Sequence, residues 1–330
     1  MPKITLNSEI EIESEPGSTI LSSARASGIS LPYSCNTGRC ATCRCKVISG
    51  STEAVLPETG LNDAERAEGW VLSCVRSAVS DVVLEVDDLG GVQLPSIKTL
   101  PARISAIERM TADVMKVTLR LPPTVQLEYI PGQYIEVISP RGDRRSYSLA
   151  NAPRANKTIE LHIRAVEHGK MSAYWFAEAK LNDLVRINGP LGTFFMRGFA
   201  GKHLIFLATG TGIAPVKAML EQLAHAEGGS PARVTVLWGG RTRSDLYFDL
   251  ACVSGEICYV PVLSRPDDGW MGAKGYVQDV LLAMTELGND SMVYACGSDV
   301  MIRSAKSALI NAGLAEKSFY SDAFVCSSTG

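Results

Sequence analysis

The chain has 330 residues, of which 46% are apolar and 20% are charged, and its formal net charge is −3. This composition is typical of a folded protein with two or three domains. It excludes a disordered chain and a collagen-like chain, and the absence of a basic excess argues against nucleic-acid binding.

No stretch of the sequence predicts a membrane span, because the longest apolar run, 203–220, is interrupted by Thr209–Gly212 and by Lys217. The first residues, MPKITLNSEIEIESE, are acidic and alternating, unlike a signal peptide. We therefore expect a cytoplasmic protein without a membrane partner. Nine cysteines in that compartment favour metal or redox chemistry over structural disulfides.

Charge and composition divide the chain into three segments. The net charge is −6 over residues 1–92, +6 over 93–197 and −3 over the remainder. We predict a first domain at 1–92, a linker at 93–99, a second domain at 100–198 and a third at 199–330. The opposite charges of the first two domains favour their docking.

The first segment reads as a small α+β module. Apolar alternation predicts a strand pair over 3–13 with its turn at Asn7 and Ser8. Ser18 or Thr19 is the expected cap of a helix that runs through Ala26. Further strands are predicted at 45–48 and 82–86.

The second and third segments have different patterns. Between residues 100 and 198, short apolar runs separated by turns predict a small antiparallel barrel, with one helix at Ser172–Lys180. The predicted strands are 102–108, 114–121, 134–138, 147–149, 158–166 and 184–189. After residue 199, strands alternate with helices, which predicts an α/β domain with a parallel sheet. Its strands are 203–208, 234–238, 257–263 and 292–296, and its helices are 215–226, 276–287 and 300–311.

Four cysteines have the spacing of a plant-type [2Fe–2S] site. Cys35, Cys40 and Cys43 follow the pattern C-x4-C-x2-C, and Cys74 comes 31 residues later. The loop would supply three thiolates to one side of the cluster, and the remote cysteine would close the other side. Gly38 would let the loop backbone approach the cluster.

A zinc site in a non-enzymatic binding module is the alternative for these cysteines. Four-cysteine zinc sites usually contain two C-x2-C pairs, and this chain has one. Cys45 is expected to be a buried core residue rather than a ligand. Cys252, Cys258 and Cys326 have no ligand pattern.

Arg145-Ser146-Tyr147-Ser148 lies on a predicted barrel strand and resembles the R-x-Y-S motif of the ferredoxin–NADP reductase family. The resemblance implies bound FAD, with Tyr147 stacked on the isoalloxazine, Ser148 near N5 and Arg145 on a phosphate. A core aromatic and a solvated arginine are the alternatives. The resemblance also assigns the ribityl chain and the diphosphate to His162, Ile163, Arg164, Gly169, Lys170, Met171 and Ser172.

The turn Gly210-Thr211-Gly212-Ile213-Ala214-Pro215 follows a buried strand and precedes a helix, where small residues let the backbone approach a pyrophosphate. It lacks the G-x-G-x-x-G fingerprint and resembles the G-x-G-[IL]-A-P turn of the same family. Cys296-Gly297-Ser298 resembles the family's C-G-P segment, with serine in place of proline. The resemblance places Thr211 and Cys296 beside the nicotinamide, Gly210, Gly212 and Gly297 among the cofactor-binding residues, and Phe324 over the flavin. A buried thiol and a core phenylalanine are the alternatives.

The order of the three modules, over residues 1–325, resembles the reductase components of bacterial multicomponent oxygenases. Residues 33–50 are especially similar to the naphthalene dioxygenase reductase group. The resemblance implies a ferredoxin-like (β-grasp) domain, an antiparallel β-barrel FAD domain and an α/β parallel-sheet NAD domain.

The implied activity is that of an electron-transfer oxidoreductase without a catalytic acid–base pair. It would pass electrons from NAD(P)H through FAD and the [2Fe–2S] cluster to a terminal oxygenase or its ferredoxin, in aromatic-ring hydroxylation. Donation to a CDP-deoxysugar dehydrase is the alternative, because reductases of CDP-6-deoxy-glucoseen synthesis share the architecture. NADH is expected as the donor. NADPH stays possible, because Arg241, Arg243 and Arg265 follow strands where they could meet a 2′-phosphate.

Overall fold

The computed structural model describes residues 1–7, 9–87, 89, 91–225, 229–250 and 257–324. These residues divide into two units, 1–94 and 95–324. The finer domain boundaries and the linker at 93–99 stay predictions. The predictions for Ser8, Ala226, Cys252 and Cys326 concern residues outside the described ranges.

The first unit is an α+β module, as predicted. Its elements are β1 (Lys3–Leu6), β2 (Ile10–Glu13), α1 (Ile20–Ala26), β3 (Arg44–Ser49), β4 (Thr52–Ala54), α2 (Asp63–Ala67), β5 (Trp70–Leu72), β6 (Arg76–Ala78) and β7 (Val82–Val86). The main sheet has the order β2-β1-β7-β3-β5, and β4 pairs with β6. The pair β1 and β7 is parallel, and the other pairs are antiparallel.

Local sequence explains how this unit begins. Thr19 caps α1 by accepting a hydrogen bond from the backbone N–H of Ser22 at 3.1 Å, which satisfies one of the helix's unpaired donors. Ile4 and Leu6 alternate into the core, where they pack with Ile20 of the helix. The predicted strand pair and helix are confirmed.

The second unit contains the predicted antiparallel barrel. Its elements are β8 (Lys98–Arg109), β9 (Val114–Arg120), β10 (Tyr134–Ile138), β11 (Arg144–Ser148), β12 (Thr158–Arg164), α3 (Lys170–Ala173) and β13 (Leu184–Leu191). The strand order is β11-β10-β13-β8-β9-β12. Leu149, just after β11, pairs with Leu161 of β12. This bridge joins the two edge strands and closes the barrel.

The predicted helix at Ser172–Lys180 takes a different form. It begins as α3 and continues as a π-helical turn, Tyr174–Glu178. This turn packs Tyr174 and Trp175 into the barrel core. The wider turn thus carries two large aromatic side chains into the barrel, an arrangement that helical periodicity does not reveal.

The second unit also contains the predicted parallel sheet. Its elements are β14 (His203–Thr209), α4 (Ile213–Leu223), β15 (Arg233–Gly240), β16 (Cys258–Leu263), β17 (Ala273–Lys274), α5 (Val277–Met284), β18 (Ser291–Ser298), α6 (Asp299–Asn311) and β19 (Phe319–Phe324). The order is β17-β16-β15-β14-β18-β19, and every pair is parallel.

In this sheet β14 lies at the point where the chain changes direction, with β15 on one side and β18 on the other. Open α/β sheets bind ligands at the carboxyl ends of the strands beside such a point. None of the helices in the described part of the chain is long and apolar enough to cross a membrane.

We expect Leu161→Ala to weaken the barrel much more than Leu184→Ala. Leu161 is fully buried in the barrel core, whereas Leu184 is 59% exposed on the same barrel. Truncation of a buried leucine costs about 2–5 kcal/mol of unfolding free energy, and truncation of an exposed one costs about 0.5 kcal/mol or less. Thermal unfolding of the two variants measures this difference. Equal losses would contradict the barrel core described above.

Candidate functional site

The four predicted cluster ligands meet in the first unit as two pairs. The thiols of Cys35 and Cys40 are hydrogen-bonded to each other, and so are the thiols of Cys43 and Cys74. The backbone N–H of Cys35 lies 3.5 Å from the sulfur of Cys40, and the N–H of Thr37 lies 3.4 Å from the sulfur of Cys35. These N–H groups favour negative charge on the sulfurs.

One cysteine of each pair is disposed to ionise. The hydrogen bond from Cys40 lowers the pKa of Cys35 to about 4, and the hydrogen bond from Cys43 lowers the pKa of Cys74. The pKa values of Cys40 and Cys43 are raised by the same hydrogen bonds and by burial. Because thiolate is the metal-binding form, binding of the cluster would drive deprotonation of the thiols whose pKa is raised.

The arrangement fits a two-iron cluster better than a single ion. No group of three or more His, Cys, Asp or Glu side chains in the described residues converges on one metal position. A structural zinc requires four ligands around one ion. A [2Fe–2S] cluster needs two cysteines on each of two irons, which is what the pairs Cys35–Cys40 and Cys43–Cys74 provide.

Gly38 is required by the packing of the cysteine loop. A Cβ atom at this position would lie 2.3 Å from the carbonyl oxygen of Pro57, and the residue has a φ of +72°. The carbonyl of Gly38 accepts hydrogen bonds from the N–H groups of Thr59 and Gly60 at 2.9 and 2.8 Å. The loop is therefore held against the segment that follows β4.

A buried carboxylate holds the segment that carries the fourth cysteine. Glu58 accepts a hydrogen bond from the backbone N–H of Leu72 at 2.7 Å and pairs with the guanidinium of Arg76 at 2.9 Å. These two partners lie on either side of Cys74. Sequence reasoning missed Glu58, because a single glutamate outside the cysteine motif carries no pattern.

The predicted flavin strand lies on one edge of the barrel sheet. Arg145 and Tyr147 point to one face of β11, and Ser146 and Ser148 point to the other. The hydroxyl of Tyr147 accepts a hydrogen bond from Nε1 of Trp175 at 3.1 Å, and burial raises its pKa. Tyr147 is thus a fixed, half-buried ring, and its stacking on a flavin stays a prediction.

The three predicted residues of β12 face different surroundings. Ile163 is fully buried in the barrel core. His162 is bonded to protein groups through both ring nitrogens. The guanidinium of Arg164 pairs with Asp113 at 3.3 Å and with Asp245 of the parallel-sheet domain at 3.1 Å. Contacts of this strand with the ribityl chain and the diphosphate stay predictions.

The predicted diphosphate segment begins a helix, as expected. Gly169 is the residue before the first turn of α3. Lys170 is largely exposed, Met171 is buried in the barrel core, and Ser172 accepts a hydrogen bond from the N–H of Val166 at 2.8 Å. The polar members of this segment are therefore at the surface, where a phosphate could reach them.

The ends of β14 and β18 approach each other closely at the predicted nicotinamide turn. A Cβ atom at Gly212 would lie 2.1 Å from the carbonyl oxygen of Cys296. Oγ1 of Thr209 accepts a hydrogen bond from the N–H of Ser298 at 3.2 Å. Only glycine at position 212 permits this contact. Gly210 and Thr211, which precede it, are partly exposed at the same edge.

Ser298, which stands where the related motif has proline, caps the next helix. Its side chain accepts a hydrogen bond from the N–H of Met301 at 3.3 Å. Cys296 is fully buried, and burial raises its pKa well above the ordinary value. Its thiol is therefore neutral, and its contact with a nicotinamide stays a prediction.

The predicted flavin cover lies at the same edge of the sheet. Phe324 pairs with Ser298, and Gly297 pairs with Ala323. The Phe324 side chain is 37% exposed, unlike a core phenylalanine. The exposed ring therefore stands beside the nicotinamide turn, and its role over a flavin stays a prediction.

Two of the three arginines considered for a 2′-phosphate are close in the chain's fold. The N–H of Arg265 donates to the carbonyl of Arg241 at 2.8 Å, so the loops after β15 and β16 meet. Arg243 instead pairs with Asp267 at 3.4 Å and lies over the ring of Trp270. Arg241 and Arg265 are therefore the better candidates for contact with the adenosine end of a coenzyme.

Three family models match successive parts of the chain. They are the 2Fe-2S iron-sulfur cluster binding domain at residues 4–78, the oxidoreductase FAD-binding domain at 101–196 and the oxidoreductase NAD-binding domain at 206–307. The CDP-6-deoxy-L-threo-D-glycero-4-hexulose-3-dehydrase reductase of Yersinia pestis is 42% identical over 322 residues, 96% of each chain. The chain belongs to this family of iron–sulfur flavoprotein reductases.

This reductase is also similar to a component of an oxygenase system and to a cytochrome P450 reductase of known structure. The reductase component of phenol 2-monooxygenase from Pseudomonas sp. is 32% identical to this chain. The match covers 97% of this chain and 93% of the relative. The crystal structure of an Amycolatopsis cytochrome P450 reductase has a TM-score of 0.76 at 28% identity, with 98% and 99% of the two chains covered.

The predicted class of enzyme is confirmed. The reductase is an NAD(P)H-dependent oxidoreductase whose cofactors are FAD, a [2Fe–2S] cluster and NAD(H). The zinc-module alternative is wrong, because the iron–sulfur domain covers all four cysteines and the other two domains bind FAD and NAD.

We expect Cys74→Ser to remove the cluster and Cys45→Ala to retain it. Cys45 is buried in the same core, and burial raises its pKa to about 12, so it is a neutral core thiol. Iron analysis and visible absorbance should show about two irons per chain in Cys45→Ala and a loss of the cluster in Cys74→Ser. An intact cluster in Cys74→Ser would contradict the ligand set.

We expect Gly212→Ala to slow flavin reduction by NADH and Gly198→Ala to leave it unchanged. The new methyl group at position 212 would collide with Cys296, whereas a Cβ atom at Gly198 would meet no atom within 4 Å. Displacement of the turn by a fraction of an ångström should reduce the rate about tenfold or more. Stopped-flow absorbance measures the rate, and equal rates in both variants would argue against this turn as the nicotinamide site.

Proposed function

We propose that this reductase delivers electrons from NADH, one at a time, to a separate partner enzyme or its ferredoxin. When bound, FAD accepts a hydride from NADH, and the cluster receives single electrons for the partner. The chain's own residues would position these groups, and the scheme needs no acid–base pair.

The observation that carries the proposal is the contact between the flavin barrel and the nicotinamide turn. A Cβ atom at Gly210 would lie 3.4 Å from the guanidinium of Arg164, which belongs to barrel strand β12. The predicted FAD segments and the predicted NAD turn therefore adjoin in one unit. Such proximity is what a direct hydride transfer requires.

Each segment has a physical role in this scheme. The small residues of the Gly210–Gly212 turn would let the backbone approach the pyrophosphate of NADH at the positive end of α4. Tyr147, held by Trp175, would orient the isoalloxazine. The two cysteine pairs would hold the cluster, and Glu58 would hold the segment that carries Cys74.

Two partners are candidates, and an observation supports each. A CDP-hexulose dehydrase is favoured by the 42% identity to the Yersinia pestis dehydrase reductase. An aromatic-ring oxygenase is supported by full-length relatives at 32%, 31% and 30% identity, namely the reductase components of phenol 2-monooxygenase, terephthalate 1,2-dioxygenase and toluate 1,2-dioxygenase. We place the dehydrase first, because the identity is higher over a similar share of the chain.

We also propose that the reductase prefers NADH and acts in the cytoplasm. Arg241 and Arg265 are the candidates for contact with a 2′-phosphate, but neither guanidinium forms a salt bridge among the described residues, although the backbone N–H of Arg241 donates to the carboxylate of Asp245 at 2.9 Å. A reducing compartment suits the seven described cysteines, which are all free thiols.

Coupled assays with each partner test the proposal. The reductase, with NADH or NADPH, should support turnover of the dehydrase, and the rate should exceed that with a terminal oxygenase or its ferredoxin. Cys74→Ser should keep NADH:ferricyanide activity, which needs only the flavin, and lose cytochrome c reduction and partner turnover. Faster turnover with the oxygenase would reverse our order of partners, and partner turnover by Cys74→Ser would contradict the electron path.

A further inference from the structure

A histidine of the barrel links two domains of the second unit. His162 on β12 lies 2.9 Å through Nε2 from the carboxylate of Glu160, and 2.9 Å through Nδ1 from the hydroxyl of Tyr247. Tyr247 belongs to the parallel-sheet domain, where its ring packs edge-on against Trp238 at 5.1 Å. The side chain of His162 is only 3% exposed, so water does not compete for these bonds.

The directions of these hydrogen bonds follow from the charges. Burial raises the pKa of Glu160, but the hydrogen bond from His162 and the charge of Lys217 outweigh burial and lower it to about 2. The carboxylate is therefore an acceptor, and Nε2 of His162 carries the proton. Burial lowers the pKa of His162, so the ring is neutral and Nδ1 accepts from the hydroxyl of Tyr247.

Helix α4 adds two charged groups to the same cluster. Lys217 lies 3.2 Å from Glu160 and 2.6 Å from Glu221, and it also donates to the carbonyl of Ala150 at 3.0 Å. Glu221 accepts from the N–H of Ala152 at 3.0 Å and pairs with Arg154 at 3.1 Å. The helix is thus bonded to the barrel backbone just beyond β11.

The cluster is balanced in charge. The carboxylates of Glu160 and Glu221 face the cations Lys217 and Arg154, and His162 is neutral between them. Lys116 on β9, which also faces His162, is paired with Glu108 at 2.8 Å. A buried set of this kind contributes little net stability, and loss of one member leaves a buried group unpaired.

The position of the cluster suggests what it does. The segment gripped by Lys217 and Glu221 follows directly after Arg145–Ser148, the predicted flavin strand. The helix that carries both residues begins directly after the Gly210–Gly212 turn. We propose that Glu160, His162, Tyr247, Lys217 and Glu221 form a latch that sets the distance between nicotinamide and flavin, an inference that rests on the proposed function. They are positioning residues, and none needs to touch a cofactor.

Tyr247→Phe tests the latch with the smallest possible change, because it removes one hydroxyl and keeps the ring in the core. The matched control is Tyr259→Phe, which removes a hydroxyl from the edge of the same core cluster, away from His162. In stopped-flow experiments on the holoenzyme, Tyr247→Phe should lower the limiting rate of flavin reduction by NADH about tenfold. The Kd of NADH should change by no more than about twofold.

A second measurement does not depend on activity. The chain has four histidines, so [15N]histidine NMR can resolve His162, and His162→Gln assigns its signal. The ring should carry its proton on Nε2 and should not titrate near the ordinary histidine pKa of about 6.5. In Tyr247→Phe the Nδ1 signal should shift, because that nitrogen loses its donor, and Lys217→Met should shift the Nε2 signal through Glu160.

The outcomes separate the latch from the proposed function. A slower limiting rate with a full complement of FAD, together with the shifted Nδ1 signal, supports the latch. The latch is overturned if Tyr247→Phe reduces its flavin at the normal rate, or if His162 titrates like a free histidine. In either case NADH would still reduce the flavin of the wild-type enzyme, so the proposed function would stand. Failure of the wild-type holoenzyme to pass electrons to either partner would overturn the proposed function instead.

Discussion

A largely buried ion pair joins the barrel to the parallel-sheet domain, because Glu160 of the barrel lies 3.2 Å from Lys217 of α4. Apolar packing stabilises the core of the barrel and the core of the parallel-sheet domain, but this interaction has no preferred direction. The ion pair and its hydrogen bonds have a defined geometry, and removal of one partner of a buried pair costs about 3–5 kcal/mol. The latch that we propose would therefore fix one arrangement of the two domains.

A buried carboxylate also holds a functional segment in place in the first unit. Glu58 is buried between a backbone N–H and the Arg76 guanidinium, and it holds the short segment that contains Cys74. The sulfurs can form two pairs only if this segment stays against the cysteine loop. In both units a carboxylate that no motif identifies supports the residues that belong to one.

The sequence pattern predicts the roles of some motif residues better than those of others. The cysteine spacing predicts both the ligands and the cluster type. The expected split of three thiols on one side and one on the other is not observed, because Cys43 of the loop pairs with the remote Cys74. The strand His162–Arg164 was assigned to the flavin by resemblance, yet Ile163 is in the core and the other two side chains contact the parallel-sheet domain. Alternation along a strand separates two faces, and it does not tell which neighbour each face meets.

By itself, the sequence determined the three modules, their order and their fold classes, because these depend on local periodicity. The cysteine spacing indicated the cluster, and the resemblance to a known family implied FAD and NAD(P)H. Only the tertiary structure decided that Glu160, Lys217 and Tyr247 join His162, and that Glu58 supports Cys74. These contacts connect residues up to 85 positions apart, from His162 to Tyr247. No local pattern encodes them, because they arise where separately folded elements meet and bury their polar groups together.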